Sequence, residues 1–365
     1  MGSPHRVGII GVGVISRAYL KTFAEAESVQ VTALADIDLA RAEAAAAEIP
    51  GAQAMTVEAL LASDQVDTVL NLTIPAAHAE IALKAIAAGK HVFGEKPLAA
   101  TYADAVKVIA AGAAAGVWVG CAPDTVLGTG IQTARAVIEA GSIGRPVGAS
   151  ATMVTPGHEA WHPAPDFYYQ AGGGPVYDMG PYYVTALIHL LGPVRSVVGM
   201  ASRTRAERTI TSQPRSGEVI RVDVPTHVTG VLEHEGGALS TLIMTFDGAG
   251  TKSPNIEVQG ELGSLTVPDP NQFSGEVTLK PNGGEWAVVP TSAGYEDSGR
   301  GVGIVDFAAS TSERPARANG DVALHALEVM TALHEAAASG TRAELTTTCV
   351  VPPAVPFTAA EEWRA

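Results

Sequence analysis

From Arg6 to Gly120, short β-branched runs alternate with Ala-rich segments whose apolar positions recur at helical spacing. The runs predict strands at Arg6–Ile10, Val29–Ala35, Asp67–Leu72, His91–Phe93 and Val117–Gly120, with helices between them such as Leu39–Glu48 and Ala76–Ala88. Pro50-Gly51 and Gly89-Lys90 supply helix stops. Such alternation predicts a doubly wound parallel sheet over residues 1–123.

After Pro123 the pattern changes. One more helix is expected at Ile131–Ala140. Runs at Ser196–Ser202, Thr226–Glu233, Ala238–Phe246, Asn255–Gly260 and Ser264–Val267 then succeed one another through Gly- and Pro-containing turns, which predicts a mostly antiparallel open sheet. A helix from about Pro175 to Leu191 interrupts it. An amphipathic helix at Asp321–Ser339, opened by an Asn319-Gly320-Asp321 cap, is expected to pack back on the first domain. The fold class is therefore α/β plus α+β, with residues 124–365 forming a substrate-binding and oligomerisation domain. An exposed face of the second sheet is a natural surface for a homodimer or homotetramer.

A chain of 365 residues, 47% hydrophobic and 17% charged, is long enough for two domains with substantial cores. Its formal net charge of -15 argues against nucleic acid or an anionic membrane as partner, since either demands a positive field. No apolar run reaches membrane-spanning length and no secretory leader is read at the start. Cys121 and Cys349 are too few and too far apart for a disulfide framework, so reduced thiols and a cytoplasmic protein are expected.

The first strand ends in Gly11-Val12-Gly13-Val14-Ile15-Ser16. Gly11 allows a tight strand-to-helix turn, Gly13 lets backbone approach a pyrophosphate, and Ser16 takes the place of the usual third glycine. Asp36 closes the second strand where a ribose 2′-hydroxyl would lie, and neither Ile37 nor Asp38 offers a cation to a 2′-phosphate. The pattern is that of a Rossmann dinucleotide site, with NAD expected in preference to NADP.

The segments Asp67–Pro75 with His78, Ala87–Ala99 with its Glu95-Lys96-Pro97 tripeptide, and Gly172–Tyr182 resemble the Gfo/Idh/MocA family of sugar and inositol dehydrogenases. The resemblance covers nearly the whole chain. It implies a lysine, Lys96, placed beside the cofactor at a strand end, where it can hydrogen-bond a substrate hydroxyl as that becomes a carbonyl. Asp178 and Tyr182 stand four apart and share one helix face. Most family members carry histidine where this chain has Tyr182 and a second acid where it has Thr185, so Tyr182 is read as the proton acceptor or donor. Lys96 is then its electrostatic partner and Asp178 the orienter of sugar hydroxyls.

The cofactor-binding residues expected are Gly11, Gly13, Val14, Ile15, Asp36, Asn71, Thr73, His78, Glu95 and Lys96. The loop from His158 to Gln170 concentrates rings and polar groups suited to a pyranose, so Lys96, His158, Trp161, His162, Tyr168, Asp178 and Tyr182 are the expected substrate contacts. His158-Glu-Ala-Trp-His162 also matches a zinc-protease spacing, but Pro156-Gly157 and Pro163 confine any helix to a single turn, and no metal is expected. The reading is an NAD-dependent dehydrogenase acting on a secondary hydroxyl of a sugar, inositol or related polyol. Two alternatives stand beside it: a glycoside-processing relative that retains NAD through an internal oxidation and re-reduction, and a non-catalytic NAD-binding regulator.

Overall fold

The Val- and Ile-rich run His5–Ile10 forms β1, which is paired on both sides and buried from Val7 onward. The computed structural model describes residues 3–311 and 313–365. In chain order the first elements are β1, α1 (Ser16–Glu25), β2 (Val29–Ala35), α2 (Leu39–Ala46), β3 (Gln53–Ala54), α3 (Val57–Ala62), β4 (Thr68–Asn71), α4 (Pro75–Ala87), β5 (His91–Gly94), α5 (Tyr102–Ala115) and β6 (Val119–Cys121). Then come α6 (Thr129–Glu139), β7 (Pro146–Val154), α7 (Pro175–Leu191), β8 (Val194–Ser202), β9 (Glu207–Thr209), β10 (Val219–Arg221), β11 (His227–His234) and β12 (Leu239–Thr245). The chain continues through β13 (Ile256–Gly260), β14 (Gly263–Val267), β15 (Val277–Pro281), β16 (Ala287–Val289), α8 (Val302–Ala308), α9 (Gly320–Ser339), β17 (Ala343–Glu344) and α10 (Ala360–Arg364).

The first unit comprises residues 1–132, 292–324 and 352–365. Its six-stranded sheet has the order β3-β2-β1-β4-β5-β6, and all pairs are parallel. The strands therefore end along one edge, at Ile10, Ala35, Asn71, Gly94 and Cys121. In an open α/β sheet this is the edge where ligands bind, at the point where strand order reverses between β1 and β4. Fully burying each Ile or Leu of these strands contributes about 1.5–3 kcal/mol. Late residues complete the unit: the Trp363 indole donates to the Glu296 carbonyl at 2.7 Å, and the Glu27 amide donates to the Arg364 carbonyl at 2.7 Å.

The second unit comprises residues 133–291 and 325–351. Its nine-stranded sheet has the order β16-β15-β14-β13-β7-β12-β11-β8-β17. Only β7 and β12 run parallel, so the sheet is mixed and mostly antiparallel. Strand β11 alternates buried Val228, Gly230, Leu232 and His234 with half-exposed neighbours, the period of a sheet covered on one face. Helices α7 and α9 provide that cover. A β-carbon on Gly199 or Gly230 would meet the Leu333 side chain at 2.6 or 2.4 Å, and one on Gly180 would meet Met330 at 2.8 Å, so small residues let α9 approach both sheet and α7. On the other face Val198, Met200 and Leu239 are exposed.

The division differs from the expected boundary at residues 123 and 124. Segments 292–324 and 352–365, read as part of the second domain, belong to the first unit. The helix expected at Asp321–Ser339 is present; its residues up to Leu324 belong to the first unit and those from His325 onward to the second, where its small-residue partners Gly180, Gly199 and Gly230 lie.

Candidate active site

At the end of β1 the chain turns through Gly11 at φ +97°, where a β-carbon would sit 2.7 Å from the carbonyl group of Leu72. Any side chain there collides with backbone, so the turn requires glycine. Above Gly13, by contrast, a β-carbon would meet nothing within 4 Å. That open space borders the N-terminus of α1, whose cap residue Ile15 makes no side-chain cap bond. The positive end of the helix dipole therefore favours an anion there, while the Ser16 and Ala18 amides donate within the turn, to the Gly13 carbonyl at 3.2 Å and the Ile15 carbonyl at 3.0 Å. Ser16 donates its hydroxyl to the Gly13 carbonyl at 2.7 Å, which fastens the turn in place of a third glycine.

Asp36 ties the second strand to this turn. Its Oδ2 accepts the Val12 amide at 2.8 Å and its Oδ1 accepts the Asp38 amide at 3.0 Å. Asp38 in turn caps α2 through the Ala40 amide and pairs with Arg41. Val14, Ile37 and Ile74 expose large apolar side chains along the same edge, a lining suited to a nucleotide. Gly11, Gly13, Val14, Ile15 and Asp36 thus form a cradle that fits a dinucleotide.

Three expected cofactor residues have a different immediate task. Asn71 is buried, with Nδ2 donating to the His78 carbonyl at 3.0 Å and Oδ1 accepting the Thr73 hydroxyl at 2.6 Å. His78 is also buried; Nδ1 lies 2.6 Å from the Pro97 carbonyl and Nε2 3.0 Å from the Thr73 carbonyl. Glu95 accepts the Tyr19 hydroxyl at Oε1 and the Lys96 amide at Oε2. These side chains spend their polar atoms on the protein, bracing the loop that carries Thr73 and the turn that carries Lys96. Lys96 itself follows β5, and the Lys96-Pro97 bond is cis.

Sequence reasoning missed Asp124. This fully buried carboxylate accepts the amides of Gly301 at 2.8 Å and Gly303 at 3.0 Å, at the start of α8. Burial pushes its acid up to about 6, against the lowering effect of those amides and of Arg300. Tyr19 was missed as well; burial and the neighbouring Glu95 carboxylate push its phenol well up. Nothing local in the sequence marks either.

In the second unit, α7 opens at Pro175 and keeps Tyr182, Tyr183, Thr185 and the following residues buried. Asp178 and Tyr182 lie one turn apart on it. The loop before α7 brings His158 to Asp178, with Nε2 2.8 Å from Oδ2. Trp161 and Tyr168 set their rings against His158 with centroids 5.2 and 4.2 Å away, and His162 joins the cluster through Trp161, Phe167 and Tyr168. The structure therefore gathers His158, Trp161, His162, Tyr168 and Asp178. His162 accepts the Ala164 amide at Nδ1, and burial lowers its pKa. The helical part of the His-Glu-x-x-His stretch is one turn, with the Trp161 and His162 amides both reaching the His158 carbonyl. Among the described residues no group of three or more His, Cys, Asp or Glu side chains could hold a metal ion.

A buried network anchors this loop, which the sequence did not disclose. Arg208 donates through Nη1 to Glu159 at 2.6 Å and to the Pro156 carbonyl at 2.9 Å, and through Nη2 to Asp247 and the Phe246 carbonyl. Tyr169 donates to Glu159 and accepts the His158 amide at 2.9 Å.

A family model described as oxidoreductase family, NAD-binding Rossmann fold, matches residues 5–122, and the GFO/IDH/MocA C-terminal domain model matches residues 131–266. The chain is 33% identical over 179 residues to 1,5-anhydro-D-fructose reductase from Ensifer adhaerens, covering 48% of this chain and 53% of that protein. It is 35% identical over 147 residues to inositol 2-dehydrogenase 3 from Saccharopolyspora erythraea, covering 39% and 43%. These alignments span about half the length of the curated relatives or less. In fold the chain is similar to the crystal structure of aldose-aldose oxidoreductase from Caulobacter crescentus complexed with glycerol, with a TM-score of 0.78 over 94% of this chain and 100% of that one at 22% identity. Among the described residues no helix is long and apolar enough to cross a membrane.

Proposed function

Because the chain belongs to the Gfo/Idh/MocA oxidoreductase family, with its NAD-binding Rossmann domain and its C-terminal domain, we propose that it oxidises or forms a secondary hydroxyl of a sugar, inositol or related polyol. The observation that carries this reading is the cradle of Gly11, Gly13 and Asp36 on the same sheet edge as the strand that delivers Lys96. The names of the curated relatives, a reductase of an anhydrosugar and an inositol dehydrogenase, support the substrate class.

NAD, when bound, supplies the nicotinamide that accepts or returns a hydride. Gly13 and the first turn of α1 would hold its pyrophosphate. Asp36 would face the adenine ribose, and a carboxylate there accepts from free hydroxyls and repels a 2′-phosphate, which favours NAD over NADP. Lys96 donates to the reacting hydroxyl oxygen and stabilises negative charge there. Tyr182 exchanges the hydroxyl proton, and Asp178 orients neighbouring hydroxyls. The aromatic cluster around His158 supplies faces for a sugar ring.

The exposed Val198, Met200 and Leu239 would be covered by a second copy of the chain, since large apolar side chains left on an open sheet face favour burial against a partner. Light scattering on Met200→Glu beside the native protein tests this; a native monomer refutes it.

The activity is tested by a screen with NAD and NADP against aldoses, inositols, anhydrosugars and glycosides, read at the NADH band, with Lys96→Ala as control. Turnover with NAD that vanishes in the control is expected. Bound NAD with no turnover on any polyol would refute the reading.

A further inference from the structure

The loop residue His158 has both ring nitrogens engaged, and by partners of different kinds. Nε2 lies 2.8 Å from Oδ2 of Asp178, and Nδ1 lies 3.2 Å from Nε1 of Trp161. An indole N–H can only donate, so Nδ1 must present its lone pair. The single proton of the neutral imidazole then sits on Nε2 and is donated to the carboxylate. The backbone behind the ring is fixed: the His158 amide donates to Tyr169, and Glu159 is held by Arg208 and Tyr169. The Asp178 and His158 side chains are 15% and 9% exposed, so their bond is made largely out of water. Trp161 is 60% exposed and can swing away without opening a core.

We propose that His158 is a positioning residue for Asp178: as the Nε2–H tautomer selected by Trp161, it turns the carboxylate toward substrate hydroxyls. The charged and titratable groups around the ring are Asp178 from α7 and His162 from the same loop. Tyr168 faces it from the same loop, and the Tyr169, Glu159, Arg208 and Asp247 network lies behind. The proposal rests on the reading that Asp178 addresses substrate.

Two substitutions and one spectrum test it. His158→Leu, which removes both bonds, is expected to lower kcat/KM about 100-fold, mostly in kcat. In His158→Gln the side-chain amide can donate to Asp178 and its oxygen can accept from Trp161, so this variant is expected to recover about tenfold of what His158→Leu loses, again in kcat. Full activity in His158→Leu, or a His158→Gln no better than His158→Leu, overturns the proposal. Independently of any substrate, the 15N spectrum of the resting protein is expected to show His158 protonated at Nε2 and bare at Nδ1. The opposite tautomer overturns the arrangement. Absence of turnover in the native protein would refute the proposed function while leaving the tautomer to be decided by the spectrum.

Discussion

The hydroxyl of Tyr19 donates to Oε1 of Glu95 at 2.9 Å inside the first unit, while Oε2 of the same carboxylate accepts the Lys96 amide at 3.0 Å. One phenol on α1 thus steadies the acid that steadies the lysine's backbone. Tyr19→Phe leaves a buried carboxylate oxygen short of its donor, at a cost of about 1–3 kcal/mol. A melting temperature a few degrees lower and a reduced kcat at unchanged NAD affinity are expected, from calorimetry and steady-state kinetics. Native stability in the variant would show that the bond contributes nothing.

Asp36 grips the Val12 amide and, in the function proposed above, carries the charge that would repel a 2′-phosphate. Asp36→Ala removes both effects. NAD affinity is expected to fall about tenfold while NADP gains relative to it. Titration calorimetry with each cofactor measures the ratio, and an unaltered preference would assign the discrimination elsewhere.

The Asp124 carboxyl has its folded value raised to about 6 from 3.8 because burial disfavours the charged form. The folded state therefore holds a proton that the unfolded state has released between those values. The stability this proton contributes is complete below about pH 4 and is lost as pH rises through 6, on the order of 3 kcal/mol. Asp124→Asn keeps an acceptor for Gly301 and Gly303 and removes the titration. Urea unfolding across that window should show a flatter stability curve in the variant; parallel curves would contradict the assignment.

His189 works in the opposite direction. It is fully buried in α7, its Nδ1 has no hydrogen-bond partner among the described residues, and burial with the help of Arg135 pushes its value down to about 3. The unfolded chain takes up the proton first, so stability is intact above 6.5 and drains as pH falls toward 3, on the order of 5 kcal/mol in full. His189→Leu is expected to resist acid unfolding better than native at pH values below 6.5, as followed by circular dichroism. Equal acid midpoints would rule the histidine out as the cause.

Elements whose own residues dictate them were legible. The β-branched run Val29–Ala35 and the Pro- and Gly-bounded helix Pro175–Leu191 appear with the expected limits. β7 was not read as a strand, because Gly148, Ala149, Ser150 and Ala151 show no strong period. Their smallness answers to neighbours instead: a β-carbon on Gly148 would lie 2.8 Å from the Leu239 carbonyl. The glycine turn and Asp36 were legible because they lie in one βαβ unit. The His158 contact with Asp178 spans 20 residues, Arg208 reaches 49 residues to Glu159, and Asp124 reaches 177 to Gly301. Pairings at such separations are set by tertiary packing, to which local pattern is blind.

The discontinuity of the first unit has a consequence for the birth of the protein. Its strand β1 is made before the second unit, yet the unit also needs Gly301 and Gly303 for Asp124, and Trp363 and Arg364 for Glu296 and Glu27. The long stretch 133–291 lies wholly within the other unit and can begin to fold while those partners are still untranslated. Within this chain the first unit is thus begun before the second and completed after the second's longest stretch has been made.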